Sequence, residues 1–159
     1  MKKIAIWILT ISIFTLGSLP IDGCASYALS MFNGTSVKLS SSSNYYFNSG
    51  GLAPAFIQTA DASSLIAPAS GTLTAIYGEI YTVYAASQEF CTVNILKNDI
   101  VVAQVTNSLA LTNSGNNPFS NNGLNVAVEA GDDLQVQLVT PAWQKPPYGP
   151  SFSLSIYIQ

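Results

Sequence analysis

The residues that could perform acid–base chemistry in this chain are carboxylates, because the sequence contains no histidine. Without an imidazole the usual general base at neutral pH is missing, and neither a Ser–His–Asp nor a Cys–His arrangement can form. A pair of carboxylates is enough for a glycosidase, and Glu79 and Glu89 are the candidates. Glu79 falls in a strand-like segment and Glu89 in a turn-like one, which favours solvated or interface carboxylates. We therefore predict a protein that is not an enzyme and has no catalytic residues.

A second group of carboxylates, Glu129, Asp132 and Asp133, surrounds one predicted turn. Oxygen ligands close together can hold Ca²⁺, but Gly131 followed by Asp132 is also typical turn chemistry. We favour the turn. A zinc site of the usual kind needs several histidines or cysteines, which this sequence lacks. The sequence thus predicts no metal and no cofactor.

Two aromatic residues, Trp143 and Tyr148, lie in a proline-rich loop over 141–150. Exposed rings on a stiff loop can stack on sugars or anchor a partner protein, since they supply contact area at low entropic cost. The alternative is that the loop folds its rings onto the edge of its own domain. The ligand-binding candidates are therefore Trp143 and Tyr148, with a surface glycan or another surface protein as partner.

Charge excludes one large class of partner. Charged residues are 8% of the chain, against about 25% in ordinary soluble domains. From Leu29 onward three lysines face seven carboxylates, which gives 3 − 7 = −4. Nucleic-acid binding requires a basic surface that displaces counterions from phosphates, so we expect no nucleic-acid partner. A surface of serine, threonine, asparagine, glutamine and glycine suits an extracellular coat or fibre.

The N-terminus resembles an export signal over residues 1–28. Two lysines precede an uncharged, mostly apolar stretch over 4–19, and small residues follow Pro20. This pattern is typical of a cleaved secretory signal. The candidate cleavage points follow Ala25, Ala28 and Ser30, and we expect a secreted protein or one displayed on a cell or spore surface.

Two alternatives to simple cleavage remain open. The apolar stretch could be retained as a membrane anchor, or Cys24 could be lipidated, since Gly23 precedes it as in a lipobox while Asp22 fits that motif poorly. Cleavage beyond Cys24 leaves Cys91 without an intramolecular disulfide partner. Cys91 alternates with Val93 in a strand pattern and is predicted to be a small core residue.

Alternating apolar and polar residues, typical of β-strands, recur after residue 50 with almost no competing helical pattern. The clearest hairpin has Lys97-Asn98-Asp99 as its turn. Loops are predicted over 113–123, which contains five asparagines, and over 141–150. We predict an all-β fold, a single jelly-roll-like antiparallel β-sandwich of roughly eight to ten strands over residues 51–159.

Residues 29–50 are predicted to be a polar lead-in, loosely joined to the sandwich. Val37 and Leu39 flank Lys38 as in a short strand, and a serine run follows. Such a segment could add to the sheet edge of a neighbouring copy and so build a filament.

The strand from Leu73 to Tyr84 departs from simple alternation, because both of its faces carry large apolar residues. A lone sandwich would leave one set in water, which monomers rarely do. We therefore predict a subunit interface, with its candidate residues being Tyr77, Ile80, Tyr81 and Tyr84.

Four segments in this order are similar to the C1q/TNF-like jelly-roll domains of bacteria and phages, found at the ends of collagen-like exosporium proteins and in fibre or appendage tips. The segments are APASGTLTAIY (67–77), FCTVNILKNDIVVAQVT (90–106), NVAVEAGDDLQVQLVT (125–140) and SFSLSIYI (151–158). The resemblance implies a non-enzymatic surface domain that forms homotrimers. The sequence lacks the Gly-X-Y stalk of the exosporium proteins. We expect the protein to be a structural or adhesive component of a surface or filament, and to bind mainly other copies of itself. A monomeric carbohydrate-binding module is the alternative.

Overall fold

A computed structural model describes residues 26–34, 38–48, 54–59, 64–83, 89–111, 115–143 and 146–159. Eleven strands lie within these ranges: β1 (Tyr27–Asn33), β2 (Asn44–Phe47), β3 (Phe56–Ile57), β4 (Leu65–Ile66), β5 (Gly71–Thr82), β6 (Glu89–Lys97), β7 (Ile100–Leu111), β8 (Gly115–Asn121), β9 (Val126–Val128), β10 (Asp133–Val139) and β11 (Ser151–Ile158). Within these ranges, no helix has the length and apolar character needed to cross a bilayer.

The strands form two antiparallel sheets that pack face to face. The first has the order β1-β11-β5-β8, with β9 also pairing with β5, and the second has the order β3-β2-β10-β6-β7, with β4 pairing with β10. The longer strands are distributed between the two sheets in the double Greek-key order of a jelly roll. The predicted fold class, an all-β jelly-roll-like sandwich, is confirmed.

The core lies between the sheets and contains a cluster of phenylalanine rings. Phe47 of β2 packs edge-to-face on Phe56 at 4.9 Å and on Phe152 at 4.7 Å between ring centroids. Edge-to-face rings place the positive edge of one on the negative face of the other, which adds to the burial of apolar area. The contacts join β2 and β3 of the second sheet to β11 of the first.

The predicted hairpin is confirmed. Asn98 and Asp99 connect β6 to β7, and both have positive φ, 51° and 65°. Two left-handed residues in a two-residue connection match the twist of the flanking strands. Asparagine and aspartate tolerate this conformation better than other side chains do, so the turn follows from local sequence.

Within the range predicted to be the loop 113–123, the structure instead has strand β8. It pairs with β5, and Asn117 and Phe119 point into the core. Because β8 lies at the edge of the first sheet, Pro118 can lack a backbone N–H without breaking the ladder. Tertiary pairing therefore overrides the loop-like composition.

The lead-in predicted over 29–50 is also different in the structure. Strand β1 pairs with β11 along its whole length, and β2 pairs with β10. Met31 and Leu39 are buried in the core of their own chain. Leu39 is therefore not placed to fill a neighbour's groove, and Val37 lies outside the described residues.

Strand β9 does not form a hairpin with β10, although only a short turn separates the two strands. It pairs with β5 in the first sheet, while β10 pairs with β6 in the second. The turn at Ala130–Gly131 therefore carries the chain from one sheet to the other. Gly131 has a φ of 92°, which explains the glycine.

Candidate functional site

The most distinctive surface of the described chain is the outer face of the first sheet, here called the aromatic face. It is formed by residues of β1, β11, β5 and β8 that point away from the core: Ala28, Ser30, Phe32, Tyr77, Glu79, Tyr81, Asn116, Pro118, Ser120, Ser151, Ser153, Ser155 and Tyr157. Phe32 is 77% exposed, Tyr77 is 47% exposed, and Tyr81 and Tyr157 are each 42% exposed. Among its members Glu79 carries the one charge.

A bulge in β5 decides which residues point outward. Tyr157 pairs with Ala75 while Ile158 pairs with Leu73, so Thr74 is an extra residue in β5. The extra residue shifts the alternation, and Leu73 and Ile76 both point into the core. From Tyr77 onward, every second residue of β5 points away from the core.

Side-chain contacts run across the aromatic face. The rings of Tyr77 and Tyr157 meet edge-to-face, with centroids 5.6 Å apart and an interplanar angle of 86°. The hydroxyls of Ser30 and Ser155 are 2.8 Å apart. Aromatic and hydroxyl side chains thus alternate on a surface that offers both apolar contact and hydrogen bonding.

A shallow depression of about 420 Å³ crosses this face. Its lining includes Phe32, Tyr77 and Tyr157, with further residues of β11 and β5. The Glu79 carboxylate accepts a hydrogen bond from the hydroxyl of Ser153 at 3.4 Å. The depression has the chemistry of a contact surface and lacks the convergent ionisable groups of a catalytic cleft.

The four predicted interface residues fall in three places. Tyr77 and Tyr81 belong to the aromatic face, whereas Ile80 is fully buried in the core. Tyr84 lies outside the described residues. Since the sequence could not say which face of β5 was inside, the assignment of Tyr81 outward and Ile80 inward comes from the structure.

The two predicted ligand-binding residues do not share one surface. Trp143 is buried, at 6% exposure, and its backbone carbonyl accepts a hydrogen bond from the Ser41 hydroxyl at 2.9 Å. Its indole Nε1 is buried without a hydrogen-bond partner among the described residues. Tyr148 is exposed, and its backbone forms a β-bridge with Lys38. Glycan binding stays a prediction, for which Tyr148 is the accessible ring.

The candidate glycosidase carboxylates lie on different sheets. Glu79 is on β5 of the first sheet, while Glu89 begins β6 of the second, and its side chain lies outside the described part of the chain. Cys91, the other reactive group considered, is 1% exposed in the core.

Asp132 organises the turn between β9 and β10. Its carboxylate accepts hydrogen bonds from the backbone N–H of Glu129 at 2.8 Å and from the side-chain amide of Asn98 at 2.8 Å. These bonds, with the Lys97 ammonium 3.5 Å away, hold the pKa of the Asp132 carboxyl below its usual value. Asp132 therefore acts as a turn and bridging residue. Over the described residues, no group of three or more Asp, Glu, Cys or His side chains lies close enough together to hold a metal ion.

No protein-family model and no curated protein matches this chain. Two solved structures of infectious bursal disease virus are similar to it. The T13 viral particle has a TM-score of 0.51 at 13% identity, over 96% of this chain and 36% of the viral chain. The VP2 subviral particle has a TM-score of 0.50 at 14% identity, over 96% of this chain and 37% of the viral chain. This chain thus spans a little more than a third of the viral chains, and at these identities the similarity shows the fold alone, a jelly-roll-like β-sandwich.

Proposed function

We propose that this protein is a non-enzymatic structural component of a cell surface, a spore surface or an extracellular filament, and that copies of it assemble through the aromatic face. The observation that carries this proposal is the exposure of Phe32, Tyr77, Tyr81 and Tyr157 on one side of a single sheet. Monomers rarely expose contiguous apolar patches larger than a few hundred Å², and tyrosine and phenylalanine are enriched in interface cores.

A second copy of the chain is the occupant that best fits this surface. The aromatic face carries one carboxylate, Glu79, and no cation among the described residues, so a strongly charged partner would find little to pair with. An equally uncharged face of serines and aromatic rings is complementary to it, and the chain itself supplies one. A C1q/TNF-like homotrimer is the closed assembly of this kind, and a filament is the open one.

The fold supports the same proposal. The two similar viral structures come from a viral particle and a subviral particle, which are assemblies. The sequence adds two features: an export-like N-terminus and a low content of charged residues. Both suit a protein that works outside the cell as part of a surface.

The test compares neighbouring residues of β5 that point in opposite directions. Tyr81→Lys places an ammonium group on the aromatic face and should give a folded protein of lower oligomer mass. Ile80→Lys places the same group in the core, which should cost about 2–5 kcal/mol and unfold the domain. Light scattering coupled to size-exclusion chromatography gives the mass, and circular dichroism reports folding.

Ile100→Lys is the matched control, because Ile100 is an exposed apolar residue (68%) at the start of β7, in the other sheet. Its oligomer mass should equal that of the wild type. A monomeric wild-type protein, or a Tyr81→Lys variant with unchanged mass, would overturn assembly through the aromatic face.

A further inference from the structure

The strand at one edge of the first sheet, β1, lacks the features that protect sheet edges. Edge strands are usually protected by prolines, bulges, charged side chains or short length. Strand β8 contains Pro118, β7 pairs with β6 through register shifts, and β3, β4 and β9 have two or three residues each. Strand β1 has seven residues, none of them proline or charged, and it pairs with β11 without a register shift. Among the described strands, β1 is therefore the edge best suited to accept another strand.

The backbone of β1 directs hydrogen-bonding groups towards its free side. Gln159, which follows β11, exchanges both of its backbone hydrogen bonds with Thr72, which lies in β5, at 2.6 and 2.9 Å. Because backbone groups alternate in direction along a strand, the preceding residue, Ile158, turns towards β1. The same alternation along β1 leaves three residues whose N–H and C=O point away from β11, without a backbone partner among the described residues: Ala28, Ser30 and Phe32.

The side chains of these three residues lie on the aromatic face and differ in size along the strand. Phe32, near one end, is 77% exposed, more than any other large apolar side chain in the described ranges. Ala28, near the other end, lines a hollow of about 220 Å³ together with Tyr157 and residues at the adjoining strand ends. Strand β1 thus has a projecting ring near one end and an open hollow near the other.

We propose that β1 pairs with β1 of a second copy of this chain, antiparallel about a two-fold axis at Ser30. In this register Ser30 lies opposite Ser30 of the second copy, and Phe32 of each copy lies opposite Ala28 of the other. Each such pair exchanges two backbone hydrogen bonds, so all of the outward-directed groups at these three positions are used. The first sheets of the two copies form one continuous sheet.

The two copies of β1 are complementary in charge and in shape. Across a two-fold axis the same surface meets itself, so a charge near the axis would meet its own sign. Strand β1 carries no charge, and this repulsion is avoided. Side chains directly opposite each other have Cβ atoms about 4.5–5.5 Å apart. The ring of Phe32 therefore lies beside the small side chain of Ala28 and the hollow next to it, at both ends of the paired strands.

This edge contact goes beyond assembly through the aromatic face, and either contact can form without the other. The edge contact uses the backbone of β1 and joins two sheets side by side, so the aromatic faces of both copies lie on the same side of the continuous sheet. A chain that makes both contacts has two different surfaces for binding its own copies, and such a chain can build an open assembly.

The first test measures oligomer mass in the Tyr81→Lys variant, whose aromatic face is disrupted. This variant should be a dimer held by its edges. Adding Ser30→Pro should raise the dimer dissociation constant about tenfold or more, because proline removes the N–H that each copy donates at the axis. That N–H points away from β11, so the fold should persist. Ser30→Ala is the matched control: it removes the same hydroxyl, keeps the N–H, and should leave the dimer intact.

The second test is disulfide trapping, which checks the register. Hydrogen-bonded partners across antiparallel strands have Cα atoms about 5.5 Å apart, a distance that a disulfide spans. Combined with Tyr81→Lys, Ser30→Cys should form a covalent dimer on mild oxidation. Ser153→Cys is the control: Ser153 is equally exposed to solvent but lies on β11, away from the edge, and should give no covalent dimer.

The outcomes separate this proposal from assembly through the aromatic face. Tyr81→Lys alone reports on the aromatic face, whereas Ser30→Pro and Ser30→Cys report on the edge. A Tyr81→Lys variant that is monomeric at all concentrations overturns the edge contact. Equal dimer affinity with Ser30→Pro and with Ser30→Ala overturns it as well, and so does a dimer that Ser30→Cys does not crosslink.

Discussion

The ring of Phe119 occupies the space beside Gly78 that a side chain would need. A Cβ atom at residue 78 would lie 2.5 Å from Cζ of that ring and 2.9 Å from Cβ of Leu154. The glycine lets the edge strand β8 place its one phenylalanine in the core. This contact explains both why β5 has a glycine at its centre and why β8 is a strand.

Gly78→Ala should therefore destabilise the protein through overpacking, by about 1–3 kcal/mol. The ring of Phe119 or the backbone of β8 would have to move. Urea denaturation measures the change in free energy of unfolding. Gly34→Ala is the control, since no atom lies within 4 Å of a Cβ there, and its effect should be small. Equal stability of the Gly78→Ala variant and the wild type would show that β8 can shift freely.

The folded protein should tolerate loss of the Asn117 side-chain amide better than replacement of that amide by a carboxylate. Its Nδ2 lies 2.9 Å from the carbonyl of Ile80, 3.1 Å from the carbonyl of Gly115 and 3.3 Å from Oγ1 of Thr82. Asn117→Ala should cost about 1–3 kcal/mol, whereas Asn117→Asp, which buries a negative charge facing these oxygens, should cost about 3–5 kcal/mol at pH 7.

Acid should bring the stabilities of the two Asn117 variants closer together. Burial favours the neutral form of the introduced carboxyl, so the penalty of Asn117→Asp should fall as the pH is lowered from 7 to 5, while that of Asn117→Ala should not change. Chemical denaturation at both pH values checks this. Identical pH dependence of the two variants would mean that residue 117 is solvated.

Asp132 predicts how the protein responds to acid. The hydrogen bond from Glu129 and that from Asn98 lower the pKa of its carboxyl, so the folded state favours the charged form. The charged Asp132 therefore contributes its full stabilisation above about pH 4, which is near the usual pKa of an aspartate carboxyl. This contribution is lost as the pH falls through the lowered pKa. Asp132→Asn should therefore lower the melting temperature at pH 7, and its difference from wild type should shrink below pH 4.

The measurement is a series of thermal melts between pH 2.5 and 7. Glu129→Gln is the control, because Glu129 contributes its backbone N–H, and not its carboxylate, to the turn. The difference in melting temperature between Glu129→Gln and wild type should not show the pH dependence expected for Asp132→Asn. A constant difference for Asp132→Asn would contradict the role given to the charge.

The mature protein should begin at Ser26. Of the three candidate cleavage points, the one after Ala25 leaves β1 complete, whereas cleavage after Ala28 or Ser30 removes residues that pair with β11. Intact-protein mass spectrometry of the exported form reads the N-terminus directly. A lipid-modified Cys24, or a start at Leu29, at Met31 or further along the chain, would contradict this expectation.

Local chemistry predicted some elements and tertiary contacts determined others. The Asn98–Asp99 turn was predictable because its conformation depends on two side chains that tolerate positive φ. Strand β8 was not, because its asparagines and Pro118 resemble a loop until β5 is beside them.

For the candidate sites as well, the deciding features depend on tertiary contacts and not on local sequence. Alternation on β5 could not say whether Tyr81 or Ile80 faces outward, since both faces of the strand are apolar and a bulge shifts the phase. The side-chain hydrogen bonds of Gln135 with Asp99 and of Ser64 with Asp133 join residues 36 and 69 positions apart, and no spacing in the sequence marks these contacts.

The pairing of β1 with β11 has a consequence for how the chain folds. Ser30 and Ser155 contact each other across 125 residues of sequence, so the first sheet cannot close until almost the whole chain is available. Folds that depend on such distant pairs fold slowly, because the entropy of closing a long loop is lost before the contacts form. In the secreted role proposed above, the first sheet of a chain threaded outward from its N-terminus would stay open until the last strand had emerged.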